Sequence, residues 1–453
     1  MTATLAAAGS REIFRRILRN AGLILGGKAA TGLLNLAATS IAIHSLGLEA
    51  MGVLVLVHAF ARTASSFVKF QSWQAVLRYG AGCLEPERRA EFHALLRFTA
   101  GLDLVASAAG CLVCAAFAWA LGPAVFGWTP EVAAMAALYA TSTFFMVTAT
   151  PIGLLRLFDR FDLLARRDAL GATARLVGAA LAAAFGGGLP AFLAAWYAAV
   201  ALDGLALIAG AWSELRRRGL LKAQGNATGR QPRRLRATEA HPGIWGFVWS
   251  TNLMTTLSLA STHVATLCVG FVLGPASAAL FAIARQIGEA ALKPSRFLTP
   301  ALYPELARLA AAGDQAGLRT VLRRSFGWSV AAALVLLAAL AVLGGPLLRL
   351  VGGEAATPAW GVMLLLAVAA SISFAGFSLE PLLVSVERHG RALRVRFAAA
   401  LAYIPVALAG LRFLGLEGVG VAAIVSALLL LAGQVWAARH WLRANHSVAL
   451  PPR

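Results

Sequence analysis

Acidic side chains are scarce in this chain, with 20 Asp and Glu among 453 residues against 40 Lys and Arg. Charged residues of both signs make up only 13%, where a soluble protein carries ~25%. Apolar residues reach 59% and the mean hydropathy is +0.74, more than a soluble domain of this length can bury. The same richness excludes a disordered chain. Four cysteines are too few for a disulfide framework. Cys111 and Cys114 form a CxxC inside the apolar run 106–120, where thiols serve as small packing groups, and no second ligand pair completes a metal site. No Walker motif is present, and Gly415-Leu416-Glu417-Gly418-Val419-Gly420 follows no soluble strand that would make it a nucleotide loop. Neither catalytic residues nor a cofactor or metal are expected, so the chain reads as a non-enzyme.

What the chain does have is long apolar runs. A membrane helix needs ~20 mostly apolar residues, and twelve windows qualify: about 20–44, 51–73, 97–121, 132–154, 169–187, 190–212, 244–270, 277–300, 325–345, 359–383, 397–415 and 419–441. The first is too long for a signal-peptide core and is read as a retained helix. The basic residues then orient the spans. With both termini cytoplasmic, 31 Lys and Arg fall in cytoplasmic segments and two, Arg349 and Arg412, in outer loops. That is the positive-inside pattern. It absorbs most of the +20 net charge and removes nucleic acid as a partner. On the same topology Asn226-Ala227-Thr228 is cytoplasmic and is no glycosylation acceptor.

The longest connection, 213–243, is polar, basic and central. It divides the chain into a lobe over 1–212 and a lobe over 244–453, each with six helices. An offset of 227 places Leu46-Gly47, after the first helix, on Leu273-Gly274, after the seventh. The expected fold is therefore an all-α integral membrane protein: twelve helices in two duplicated six-helix lobes around a central cavity, related by an axis along the membrane normal.

Seven basic residues remain inside spans (Lys28, Arg62, Lys69, Arg175, Arg285, Lys293, Arg296), with four acids (Asp103, Asp203, Glu289, Glu380). A charge at the bilayer centre costs ~2.5–3.5 kcal/mol on insertion scales, so such groups face water or a partner. At 100° per residue, His58, Arg62, Ser65 and Lys69 share a face of the second helix, and Arg285, Glu289, Lys293 and Arg296 share one of the eighth. The first helix carries Lys28, Thr31, Asn35 and Thr39 on one side; the seventh carries Asn252, Thr255, Thr262 and Thr266. The expected cargo-binding, cavity-lining set is Lys28, Asn35, Arg62, Lys69, Arg285, Glu289, Lys293 and Arg296. Lys69, Lys293 and Arg296 lie near cytoplasmic ends and could equally snorkel to headgroups. Arg285 and Glu289, four apart, could neutralise one another. Asp103 and Asp203 are candidates for ion coupling or for pairing with an arginine of a neighbouring helix. A basic cleft suits an anion, phosphate being the commonest, and an attached lipid chain could stay in the bilayer while the head group crosses.

Three stretches carry a family likeness: Ile43–Gly52 leading to Gln74-Ala75-Val76-Leu77-Arg78-Tyr79, Gly153-Leu154-Leu155-Arg156-Leu157-Phe158-Asp159-Arg160-Phe161-Asp162, and Leu273-Gly274-Pro275 through Tyr303-Pro304-Glu305-Leu306-Ala307. At these residues the sequence resembles the polysaccharide-transporter branch of the multidrug/oligosaccharidyl-lipid/polysaccharide (MOP) exporter superfamily, the O-antigen-type oligosaccharide flippases. The resemblance implies two six-helix lobes forming a V-shaped cavity in the bacterial inner membrane. It implies alternating access that carries polyprenyl-diphosphate-linked oligosaccharide outward for polysaccharide or lipopolysaccharide synthesis, alongside membrane lipids, a glycan polymerase and glycosyltransferases. The Asp often found about nine residues before the second Leu-Gly turn is replaced by Ala265, so an ion-coupling role does not carry over to that helix. Two alternatives stand: a multidrug extruder of organic cations in the same superfamily, which predicts an acid-dominated cavity, and a membrane polymerase or glycosyltransferase, which needs larger outer loops or paired acids.

Overall fold

The computed structural model describes residues 2–221, 235–289, 314–379 and 389–444, with single residues at 302, 306, 308, 309 and 382. Sixteen α-helices follow one another among them. They are α1 Thr2–Val68, α2 Ser72–Gly80, α3 Arg89–Ala120, α4 Gly122–Phe126, α5 Pro130–Ala140, α6 Thr143–Met146, α7 Ala149–Leu157, α8 Phe161–Ala184 and α9 Leu189–Arg217. After the central segment come α10 Ala237–Ala240, α11 Ile244–Leu273, α12 Pro275–Gly288, α13 Gln315–Gly352, α14 Trp360–Ala375, α15 His389–Leu414 and α16 Glu417–Ala444. Helix covers most of the described residues of each expected window, and seven of the described helices are long and apolar enough to cross a membrane. Large apolar side chains point outward: Leu112 is 73% exposed, Val342 74% and Phe413 84%. Surface of that kind is stable only against lipid, and the chain is a multi-pass membrane protein.

The chain divides into two compact units, Met1–Ser45 with Phe60–Thr256, and Leu46–Ala59 with Leu257–Arg453. Helices α1 and α11 each contribute residues to both.

Two windows expected as continuous spans are broken. The second, 51–73, stops at Val68, and a new helix starts at Ser72. The hydroxyls of Ser65 and Ser66 donate back to the Arg62 carbonyl at 2.9 and 2.8 Å, a bonding mode that loosens the turn it occupies. Lys69 is thus just past the helix end rather than on its polar face. The fourth window, 132–154, is three short helices. Pro151 in an unbroken helix would drive its ring into the Val147 carbonyl, and the chain leaves the helix at Val147, with φ −88° and ψ 83°. Buried Asp103 on α3 repairs the second break: one carboxylate oxygen accepts from the Thr150 N–H at 2.7 Å and the other from Ser72 Oγ at 2.6 Å.

The core of the first unit packs α2, α3, α7 and α9 around Val76, Phe92, Leu155 and Leu207. The start of α11 belongs to it, with Ile244 and Val248 fully buried against Ala75 and Leu95. Aromatic edges fix that contact, Phe98 to Trp245 at 4.9 Å and Tyr79 to Phe247 at 5.8 Å, with Arg78 over Phe247 at 4.6 Å. In the second unit α16 packs on α14 and α15, α13 on α14, and α12 on α14.

The two Leu-Gly turns share one backbone shape. Gly47 has φ 73° and ψ 172°; Gly274 has φ 86° and ψ 175°. Only glycine occupies that region readily. The helix after the first turn meets the second turn within the second unit: a Cβ on Gly52 would lie 1.9 Å from the Pro275 carbonyl oxygen.

Candidate functional site: a cationic cluster in the first unit

Helices α1, α8 and α9 and the segment after α1 bring together Arg62, Lys69, Arg167, Arg175 and Asp203, with Tyr139 from α5. Arg62 acts electrostatically on Lys69 and Arg175; Arg167 and Asp203 act on Arg62 and Lys69. Arg167 closes on Asp203 with two guanidinium hydrogen bonds, one of 2.6 Å, each partner about a quarter exposed. Arg175 donates to Asn35 Oδ1 at 3.0 Å and sits 5.5 Å from the Trp196 ring centroid. Lys69 reaches only the Met146 carbonyl, at 3.4 Å. Among the described residues, Arg62, Lys69 and Arg175 have no carboxylate partner. Arg62 is open to solvent while Tyr139 beside it is buried. The arrangement is a net-positive cluster that can take an anionic group.

The expected residues do not all meet. Asn35, Arg62, Lys69 and Asp203 meet in this cluster. Lys28 is near its edge, ion-paired with Asp168, which in turn lies 3.6 Å from Arg167. Both partners are partly open to solvent, so Lys28 has an acid that the sequence did not reveal. Arg285 and Glu289 belong to the second unit, at the end of α12, and both act on half-buried Tyr403. Lys293, Arg296 and Glu380 lie outside the described residues. Asp103 is held by Ser72 and Thr150, and Asp203 by Arg167.

Sequence reasoning missed Arg167 and Asp168, assigning Arg167 to a cytoplasmic loop because the apolar window opens only at 169. The signal was present: Arg167, Gly171 and Arg175 recur every four residues on one face of α8.

Two further groups gather where basic residues are densest. Buried Glu214 on α9 takes Arg160, Arg217 at 3.1 Å and Arg218 at 3.5 Å, while Arg160 also grips Asp162 at 2.8 Å. The Arg160 guanidinium holds the Asp162 carboxyl at about 2. Nearby, Cys83, Glu91 and His241 offer ligand atoms within 4.8 Å of one another, a set that could hold a metal ion. Arg88 already neutralises Glu91 at 2.6 Å, and His241 Nε2 lies 3.3 Å from the Glu91 carbonyl oxygen. The group works as a clasp on the segment before α11.

No protein-family model matches the chain. Inner membrane protein YghQ of Escherichia coli (strain K12) is 35% identical over 342 residues, 75% of this chain and 93% of the relative. The chain belongs to the YghQ family. Solved structures extend the likeness to fold. An inward-facing multidrug resistance MATE family transporter of the MOP superfamily matches with TM-score 0.73 at 15% identity, covering 92% of this chain and 96% of the other. The eukaryotic MATE transporter AtDTX14 matches with TM-score 0.58 at 14% identity over 96% of this chain and all of its own. This YghQ-family chain therefore shares its fold with solved MATE transporters.

Proposed function

We propose that this YghQ-family protein is an inner-membrane transporter of the MATE type, moving its cargo by alternating access with no chemistry on it. The observation that carries the reading is the MATE fold, matched over nine-tenths of the chain. The relative's name places that protein in the inner membrane, and the apolar outer surface here suits the same location. Because the solved neighbours include multidrug transporters, an extruder of small molecules is the first reading of the cargo. The lining modifies it: Asp203 is occupied by Arg167, while Arg62, Lys69 and Arg175 await an anion. Anionic or zwitterionic compounds suit this interior better than organic cations.

The same three cations favour a second reading, a flippase for polyprenyl-diphosphate-linked oligosaccharide, whose diphosphate would meet them as the head group crosses. A deletion strain separates the two. Hypersensitivity to anionic dyes and detergents, restored by the wild-type gene, supports the extruder. Accumulation of lipid-linked sugar on the cytoplasmic side, with unchanged drug sensitivity, supports the flippase. Neither phenotype, from a strain shown to lack the protein, would overturn both.

A further inference from the structure

We propose that the first unit holds one anionic glycerophospholipid in a groove between α3 and α9. The groove is a cavity of about 430 Å³, floored by α7. It exists because the fourth span is broken. The short α7, ending the span after Pro151, leaves a gap between the longer helices on either side.

Its walls are apolar, with Leu154 on the floor and Leu104, Ile208 and Trp212 at the sides. Leu104 is 55% exposed and Trp212 60%, so the groove opens onto an apolar surface of the first unit. A hydrocarbon-lined gap facing lipid fills with an acyl chain, since water gains nothing there. One end differs. Arg97, exposed, and His93 line it, seven and eleven residues before Leu104, or about 10–16 Å along α3. That end meets the residues just before α10, where Arg97 donates to the Leu235 carbonyl at 3.2 Å and keeps its other N–H groups available. His93 Nε2 is buried with no hydrogen-bond partner among the described residues. Asp103, the acid among the groove's lining residues, lies at the α7 end rather than beside Arg97 and has both oxygens already accepting from Ser72 and Thr150.

A basic end, an orphaned imidazole nitrogen and an apolar trough together fit a phosphate-bearing head group over its acyl chain. Basic pockets between membrane helices recognise anionic head groups in this way. Phosphatidylglycerol fits because its phosphodiester carries a net negative charge; phosphatidylcholine offsets the same phosphate with a cation.

Native mass spectrometry of the full chain, released from detergent with added phosphatidylglycerol or phosphatidylcholine, reads the site directly. The wild type is expected to retain one phosphatidylglycerol with about fivefold preference, the effect of one arginine near a head group. R97Q should lose the preference and R97K keep most of it. Since Arg97 also holds the linker end, Ala100→Trp, which fills the groove and leaves Arg97 intact, should remove the bound lipid of either type. Equal retention of the two lipids by the wild type overturns the proposal. So does a selective lipid that survives both R97Q and Ala100→Trp in protein that melts as the wild type does.

Discussion

Single residues carry both the transport hypothesis and the tightest packing. Removing Arg62 or Arg175 takes away an unpaired cation without breaking an ion pair. R62Q and R175Q are therefore expected to insert and melt normally and to abolish transport, as checked by membrane fractionation beside an export assay; full export by both would dismiss the cluster as the site. Asp203→Asn differs, since it takes from Arg167 the acid that holds it by two hydrogen bonds and leaves only Asp168, 3.6 Å away. It should lower thermal stability as well as transport, because removing one member of a largely buried pair strands the other. Asp162 makes a milder case. Its carboxyl, held at about 2 by Arg160, contributes stability that is complete above the ordinary aspartate range near 4 and fades as the pH falls towards 2. D162N should therefore shift melting by the same small amount at every pH from 5 to 8. Glycines show how packing can decide. Gly52→Ala puts a methyl 1.9 Å from the backbone oxygen of Pro275, and severe loss of folded protein is expected; Gly101→Ala meets nothing within 4 Å and should stabilise by about 0.5–1 kcal/mol.

At the level of elements, the discontinuities matter more than the spans. Asp103 takes the N–H freed where α7 begins, so Asp103→Ala exposes that donor in a buried setting, at ~1–3 kcal/mol. A drop in melting temperature for Asp103→Ala, with partial recovery in Asp103→Asn, would support helix repair; equal stability of wild type and Asp103→Ala would refute it. These breaks also mark what the sequence could convey. Hydropathy placed its windows on segments that are helical over most of their described residues, because each is apolar over most of its length. It did not reveal the interruptions at 69–71 and 147–148, since Gln71, Ser72 and Thr148 look like ordinary polar residues in an apolar run. It moved Arg167 into a loop for a related reason: α8 starts eight residues before its hydropathy rises. The cations Arg62 and Lys69 were legible because an unshielded charge inside a span has few explanations. Their neighbours Tyr139 and Asp168 were not, because only the packing of α5 and α8 brings them close.

For the whole molecule, Gly47 and Gly274 are the two halves' shared signature. Both sit in a backbone region that other residues enter at a cost of about 1–3 kcal/mol. If the halves descend from one unit, Gly47→Ala and Gly274→Ala should reduce membrane yield to similar extents. The linker has a different relation to the units. Leu235 is held by Arg97, His241 by the clasp with Glu91, and Ile244 and Val248 are buried in the first unit's core. The C-terminal end of the linker is thus anchored well before α11 passes into the second unit. A single proteolytic nick between 222 and 234 would sever the polypeptide but leave the new N-terminus seated in the fragment it was cut from. Co-expressed halves divided there should copurify as one particle, which makes the linker the natural place to insert a reporter, an affinity tag or a regulatory domain.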